Sequence, residues 1–209
     1  MVFKVDFEKA YDSVRWDFLD EIMLKFGFGP KWRGWIMGCL KSSTGSVLVN
    51  GSPTQEFQFH KGLCQGDPLS PFLFLLVMES LHISFSKAMH QGFFKGIKIG
   101  SNNTVCISHL FYADDAVFIG EWNEENLHNI VRILQCFFLA SGLRINLHKC
   151  SIIGVGGVKT EEVLRKATLI GCDVGKTPFK YLGVMVGTSM SKIKAWDMTM
   201  DRITARLSK

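Results

Sequence analysis

Residues 110–120 read LFYADDAVFIG: an apolar run, two adjacent carboxylates at Asp114 and Asp115, then a second apolar run. Aromatic and β-branched residues dominate both flanks, so they read as strands over Ile107 to Tyr112 and Ala116 to Ile119, joined by a tight turn at Ala113, Asp114 and Asp115. Aspartate tolerates turn geometry and a turn tip is normally wet, which by itself is an ordinary explanation for the acids. The apolar flanks weaken that explanation, because two like charges held against a core repel unless a cation joins them. A third carboxylate, Asp6, sits at the end of another apolar strand in VFKVDF, residues 2–7. Three carboxylates from two neighbouring strands make an oxygen-rich site of the kind that takes two Mg²⁺ ions and assists in-line phosphoryl transfer.

After the first strand, Val14, Phe18, Ile22 and Phe26 recur every four residues, which predicts one amphipathic helix capped by Asp12 or Ser13 and ended by Gly27. Pro30 opens a second helix with Trp32, Trp35, Ile36, Cys39 and Leu40 on one side. Trp16, Trp32 and Trp35 stand at helical spacing on apolar faces and read as core, not as platforms for stacked bases. Asn50-Gly51 accepts positive φ angles and centres a β-hairpin from about Ser46 to His60. Ser70 as N-cap and Pro71 at the first position then start a helix whose residues 72–78, FLFLLVM, are apolar all round and read as buried. A helix over Glu124 to Ser141, a strand over Cys150 to Val155, a helix over Thr160 to Ile170, a strand over Tyr181 to Val186 and a basic helix from about Met190 complete the expected order.

With 209 residues, 47% hydrophobic and 21% charged, the chain can bury a sizeable core in one large domain, or one domain with a small appendage, and does not have the composition of a disordered segment. A net charge of +5 permits an acidic partner without demanding one. The six cysteines show no C-x-x-C pair, which fits reduced, mostly core thiols in an intracellular protein. The histidines show no H-x-x-x-H or H-x-E pattern, against a zinc hydrolase or deaminase. FLFLLVM is far shorter than the ~20 residues that span a bilayer, and MVFKVDFEKA is not a signal peptide, so no membrane partner is expected.

Five stretches in order, KVDFEKAYD, GLCQGDPLSPFLF, LFYADDAVFIG, GLRINLHKC and FKYLGVMVG, resemble the palm motifs of reverse transcriptases, specifically those of non-LTR (LINE-type) retrotransposons and most like the plant ones. The resemblance runs from about residue 2 to residue 187 and implies an α+β fold: a polymerase palm with an antiparallel sheet backed by helices over residues 1–187, then a basic helix over 188–209 at the start of a thumb. It implies that Asp6, Asp114 and Asp115 are the catalytic, metal-binding carboxylates for two Mg²⁺ ions, with Mn²⁺ as a substitute and the Phe7 carbonyl as a further ligand. Tyr11 matches an aromatic that crowds the sugar 2′ position, though on its own it reads as a core ring. Gln65 and Gly66 match a pair beside the incoming nucleotide, while Asp67, Pro68, Ser70 and Pro71 read as a helix start. Lys149 matches a lysine near the triphosphate that can protonate the leaving pyrophosphate; a solvated surface lysine is the competing reading. Tyr181 to Val184 resembles the strand that grips the primer end.

The partners implied are an RNA template with a DNA primer, deoxynucleoside triphosphates and the remainder of a retrotransposon polyprotein. Cys64 stands where relatives usually carry a basic residue. The family's fingers region before Asp6, most of its thumb and its endonuclease are not among these residues, so the isolated chain is expected to be inactive and to expose apolar faces. The alternative is a non-catalytic remnant that at most binds nucleic acid weakly through phosphate contacts.

Overall fold

A computed structural model describes residues 1–100, 105–187 and 196–208. The chain opens on β1 (Val2–Val5), in which Phe3 and Val5 are buried while Val2 and Lys4 are half-buried, the alternation of a strand with one face on a core. Three helices follow, α1 (Ala10–Ser13), α2 (Trp16–Lys25) and α3 (Pro30–Lys41), then the short strands β2 (Thr44–Gly45), β3 (Leu48–Val49), β4 (Ser52–Pro53) and β5 (Phe57–Gln58). The long helix α4 (Ser70–His90) leads to β6 (Ile97–Ile99), β7 (Val105–Ile107), β8 (His109–Tyr112) and β9 (Asp115–Ile119). Next come α5 (Glu124–Ser141), a 3-10 turn at Leu147–Lys149, β10 (Ser151–Ile153), α6 (Thr160–Ile170), β11 (Asp173–Val174), β12 (Phe179–Tyr181), β13 (Val184–Val186) and α7 (Asp197–Leu207).

Five strands form one sheet in the order β11-β10-β1-β9-β8, antiparallel except for the parallel β10–β11 pair. This is the expected α+β architecture, an antiparallel-rich sheet backed by helices. Phe3 lies between Phe118 and Ile152, and Val5 opposite Ala116, all buried on one face. That face joins a single core with Phe74, Val77, Leu81 and Phe85 of α4, Leu19 and Met23 of α2, and Leu127, Ile130 and Leu134 of α5. Phe85 touches the rings of Phe94 and Phe118, each at 4.7 Å between centroids. Each such buried side chain contributes roughly 1.5–3 kcal/mol through removal from water.

Several expectations need correction. The helix after β1 is broken at Val14 and Arg15 into α1 and α2, and neither Asp12 nor Ser13 caps it, although Gly27 ends it with a φ of 85° as expected. Helix α4 begins at Ser70, so that serine is not its N-cap; the Asp67 carboxylate accepts from the Ser70 amide at 3.0 Å and from its hydroxyl at 2.9 Å. Nor is the run 72–78 buried all round, for Phe72 and Leu75 are exposed. A helix turns side chains through every direction, and only the side carrying Leu73, Phe74, Val77 and Met78 meets the core. By length and composition α4 could cross a membrane, yet it supplies nine buried residues to this fold.

Trp16 is core, but Trp32 and Trp35 are exposed, because α3 turns the stripe of Ile36, Met37 and Leu40 to the core and the two tryptophans lie off to one side of it. Cys39, Cys64, Cys106 and Cys136 are exposed as well, leaving Cys150 as the one fully buried thiol and Cys172 half-buried. The 46–60 hairpin exists in two pieces, β3 with β4 around Asn50-Gly51 and β2 with β5 outside them. The segment from Tyr181 is not one strand: Leu182 and Gly183, with φ of 48° and 86°, turn the chain so that β12 pairs with β13. The basic helix expected from Met190 begins outside the described residues, as do Lys192 and Lys194; α7 itself carries Asp197 and Asp201 against Arg202 and Arg206.

Gly142 carries the chain from α5 back to β1 with a φ of 85°, and a Cβ there would meet the Ser13 carbonyl oxygen at 2.3 Å. Gly27 has the same φ with open space around it. Gly142→Ala is therefore expected to cost roughly 2–3 kcal/mol and lower the melting temperature by about 5–10 °C, against ~1 kcal/mol for Gly27→Ala. Equal losses in thermal melts of the two variants would contradict the packing at Ser13.

Candidate active site

β1 and β9 run antiparallel with Val5 opposite Ala116, and β9 pairs on its other side with β8, Tyr112 opposite Asp115. The pairing ends at Val5 and Ala116, and Asp6 and Asp115 are the residues that continue the two strands beyond that last rung. Opposed residues project to one side of a sheet. Because Phe3, Val5, Ala116 and Phe118 take the helix-packed face, Asp6, Asp115 and Tyr112 take the other, along with Lys4 and Leu110. That face is open at this end: Tyr112 is 64% exposed and Leu110 46%, while Asp6 and Asp115 are half-buried. Asp114 lies in the two-residue turn with Ala113, whose φ is 50°, and is exposed. The tip of the hairpin is thus wet at Asp114 and partly enclosed at Asp115.

Asp6 is held from behind by the segment after α5. The Asn146 amide donates to the Asp6 carbonyl at 2.8 Å and the Glu8 amide to the Arg144 carbonyl at 2.8 Å, forming a bridge between Phe7 and Ile145. Both bonds belong to the flanking residues, so the carbonyl of Phe7 turns away from the 144–146 segment. The Asn146 carbonyl in turn accepts from the amides of Lys149 and Cys150 at 2.9 and 3.0 Å. The turn that presents the exposed Lys149 therefore hangs on the residue that holds Asp6. Behind Asp6, burial pushes the Cys150 thiol up to about 11, which makes it an inert packing group.

Tyr11 is half-buried and stacks on Phe74, with centroids 4.6 Å apart and planes 13° from parallel. A cavity of about 380 Å³ lies among Tyr11, Phe74, Met78, Tyr112 and Ala113, so the ring and the hairpin border one space. The loop that carries Gln65 and Gly66 is pinned to the same helices: Trp16 Nε1 donates to the Gly62 carbonyl at 2.7 Å, and the Leu63 amide to the Tyr11 carbonyl at 2.8 Å. Gly62 fits there because it has a φ of 90° and a Cβ would meet the Asp12 carbonyl oxygen at 2.8 Å. Gln65 and Gly66 themselves are exposed beyond that anchor, as is Cys64.

Burial first, and then the negative charge of Asp115, hold the Tyr181 phenol above its ordinary range. The β12–β13 hairpin is therefore a neighbour of the acidic site, a relation between distant segments that no local pattern announces. Asn146 and Phe74 were likewise missed as positioning groups. Asn146 stands in RIN, beside the alternation that lets this segment bridge Phe7, and that was the available signal.

Among the described residues no Lys, Arg or His forms an ion pair with Asp6, Asp114 or Asp115. Nor do three His, Cys, Asp or Glu side chains among them converge tightly enough to close a metal cage. The donors are all carboxylate and carbonyl oxygens on an open face, without a protein cation to neutralise them. Such a set fits Mg²⁺, which is usually held by one or two carboxylates together with substrate phosphates and water.

Residues 1–186 match the family model described as reverse transcriptase (RNA-dependent DNA polymerase). A Pol polyprotein of the type-1 retrotransposable element R2 from Popillia japonica is 31% identical over 196 residues, 90% of this chain and 26% of that protein. An uncharacterised mitochondrial protein of Arabidopsis thaliana is 46% identical over 68 residues, 32% of this chain and 55% of its own length. The chain spans a third or less of the length of the retrotransposon relatives it first matches. Among solved structures, telomerase from Candida albicans with a fragment of telomeric RNA superposes with a TM-score of 0.57 at 13% identity, over 90% of this chain and 29% of that one. Apo telomerase from Candida tropicalis lacking its C-terminal domain gives 0.59 at 15% identity, over 89% and 33%. The likeness to telomerase concerns the fold, and the motifs, their order and the family match agree: the chain belongs to the reverse transcriptase family and is of non-LTR retrotransposon origin.

Proposed function

We propose that this chain is the catalytic palm of an RNA-directed DNA polymerase, adding deoxynucleotides to a primer 3′-OH. What supports the reading is the register of β1 on β9, whose last pair, Val5 with Ala116, leaves Asp6 and Asp115 as the next residues at the open end of the sheet. Asp6, Asp114, Asp115 and the Phe7 carbonyl would hold two Mg²⁺ ions, or Mn²⁺ in their place. Bound divalent ions there supply activation of the attacking hydroxyl and neutralisation of the leaving pyrophosphate.

The chain's own residues supply position. Asn146 fixes the backbone of Asp6, so its carboxylate meets the substrate without reorganisation. Tyr11, locked against Phe74, forms a rigid wall that leaves no room for a 2′-hydroxyl and so favours deoxynucleotides. Gln65 and Gly66, on the anchored loop, line the nucleotide with an uncharged donor and a close backbone. Lys149 donates a proton to the departing pyrophosphate. The β12–β13 hairpin steadies the primer end beside Asp115. An RNA template with a DNA primer and deoxynucleoside triphosphates are the partners, within a polyprotein of the kind its relatives form, and residues 1–187 make up the palm.

A second reading, a non-catalytic remnant that at most binds nucleic acid weakly through phosphate contacts, is favoured by the exposed Cys64, which stands where relatives usually carry a basic residue. Primer extension on an RNA template separates the two. Extension with Mg²⁺ that falls at least ~10²-fold in the Asp114→Asn, Asp115→Asn double variant supports the polymerase. Salt-sensitive, Mg²⁺-independent binding without extension supports the remnant.

Sugar selection provides a separate check. Tyr11→Ala should raise ribonucleotide use relative to deoxynucleotide use by roughly 10-fold or more, and unchanged selectivity in an extending enzyme would remove Tyr11 from the site. Charge provides another, independent of activity. Asp115→Asn relieves repulsion with Asp6, so without metal the variant should melt about 1–2 °C above its parent. A lower melting temperature would mean that the carboxylate has a structural partner.

A further inference from the structure

Two histidines distant in sequence meet where α4 crosses the edge of the sheet. Nδ1 of His82 on α4 lies 2.6 Å from Nε2 of His109 on β8. On the far side of the His109 ring, the hydroxyl of the buried Ser108 lies 2.7 Å from Nδ1. Both histidines line a cavity of about 650 Å³, to which Glu79, His90 and Cys106 also belong. The polymerase reading gives none of these side chains a task.

The pair has the parts of a metal chelate. Burial, and next the proximity of His82, pull His109 down to about 4, so near neutral pH it is the uncharged imidazole that metals bind. A ligating imidazole commonly donates its other N–H to a fixed oxygen, and Ser108 already holds that place on His109. Two nitrogens about 2.05 Å from a tetrahedral ion stand about 3.3 Å apart. The facing atoms must therefore separate by less than an ångström, and the exposed His82 has room to move.

We propose that Nδ1 of His82 and Nε2 of His109 chelate a late first-row divalent ion, Zn²⁺ above all, with water in the remaining positions. Among the described residues no third His, Cys, Asp or Glu stands at ligand spacing, which is why solvent completes the shell. Glu79 is one turn before His82 on α4 and borders the same cavity, close enough in the fold to accept from such water. Binding takes the place of the proton between the two rings. In a neutral pair that proton passes to the other nitrogen of its own ring, on His109 to Nδ1, where it is donated to Ser108; a cationic pair releases one proton to solvent. Glu79, His90 and Cys106 are the other titratable groups on the cavity. Nitrogen donors select ions differently from the carboxylates at the hairpin, so excess Mg²⁺ does not compete. The ion would tie α4 to β8, the strand that runs into the Ala113-Asp114 turn.

Thermal melts of the full 209-residue chain with Zn²⁺ in excess Mg²⁺ test this. The expected result is a rise of several degrees that His82→Ala abolishes, that Ser108→Ala weakens by roughly 10–100-fold in Zn²⁺ concentration, and that Asp114→Asn leaves in place. A Co²⁺ titration of the unaltered chain should show visible d–d bands without a thiolate-to-metal band. A Zn²⁺ shift that survives His82→Ala would mean an adventitious ion only, on exposed thiols. A thiolate band lost in Cys106→Ser would assign a different ligand set, and either result overturns the bis-histidine site.

Discussion

The arrangement depends on the central strand of the sheet being fixed from both sides. β9 sets the register of β1 through the Val5–Ala116 pair, and the 144–146 segment holds the next residues through Asn146 and Arg144. Side chains alternate along a strand, so a slip of one residue would send Phe3 and Val5 to solvent and Asp6 into the core. The burial of those two hydrophobes therefore enforces the placement of the carboxylate. Packing energy spent on the helix-covered face determines the chemistry available on the open one.

Electrostatics work in the opposite direction from packing. Asp6 and Asp115 are half-buried at the same end of the sheet, and among the described residues no cation pairs with either, so hydrophobic contacts must hold that end against like-charge repulsion. Folded proteins keep such local conflicts where function requires them. At this site the positive charge that would offset the repulsion is of the kind a divalent ion supplies. The histidine pair on the other face is a separate polar feature, with nitrogen donors set among the rings of Phe85 and Phe111.

What the sequence made legible was local. The flanks of Asp114, the turn at Asn50-Gly51, the end of a helix at Gly27 and the amphipathic spans of α5 and α6 all follow from periodicity and turn chemistry within a few residues. The association of Asp6 with the hairpin acids is non-local: a lone carboxylate ending another apolar strand suggested it, and the ordered motifs added to it. Exposure was the least legible property. Phe72, Leu75, Trp32 and Trp35 are as hydrophobic as their buried neighbours, and only the placement of other elements decides which side of each helix is covered. The turn at Leu182-Gly183 was missed because leucine rarely adopts a positive φ, and the meeting of His82 with His109 because nothing in either local stretch encodes it.

The central claim is that Asp6 and the Asp114-Asp115 hairpin surround one metal-binding space. Replacing Mg²⁺ with Fe²⁺ and generating hydroxyl radicals at the bound ion cuts the backbone wherever that ion sits, and mass spectrometry locates the cuts. The account predicts cleavage next to residue 6 and around residues 113–115 in the same sample, both suppressed by excess Mg²⁺. Cleavage at only one of the two segments, or cuts that Mg²⁺ does not suppress, would contradict it.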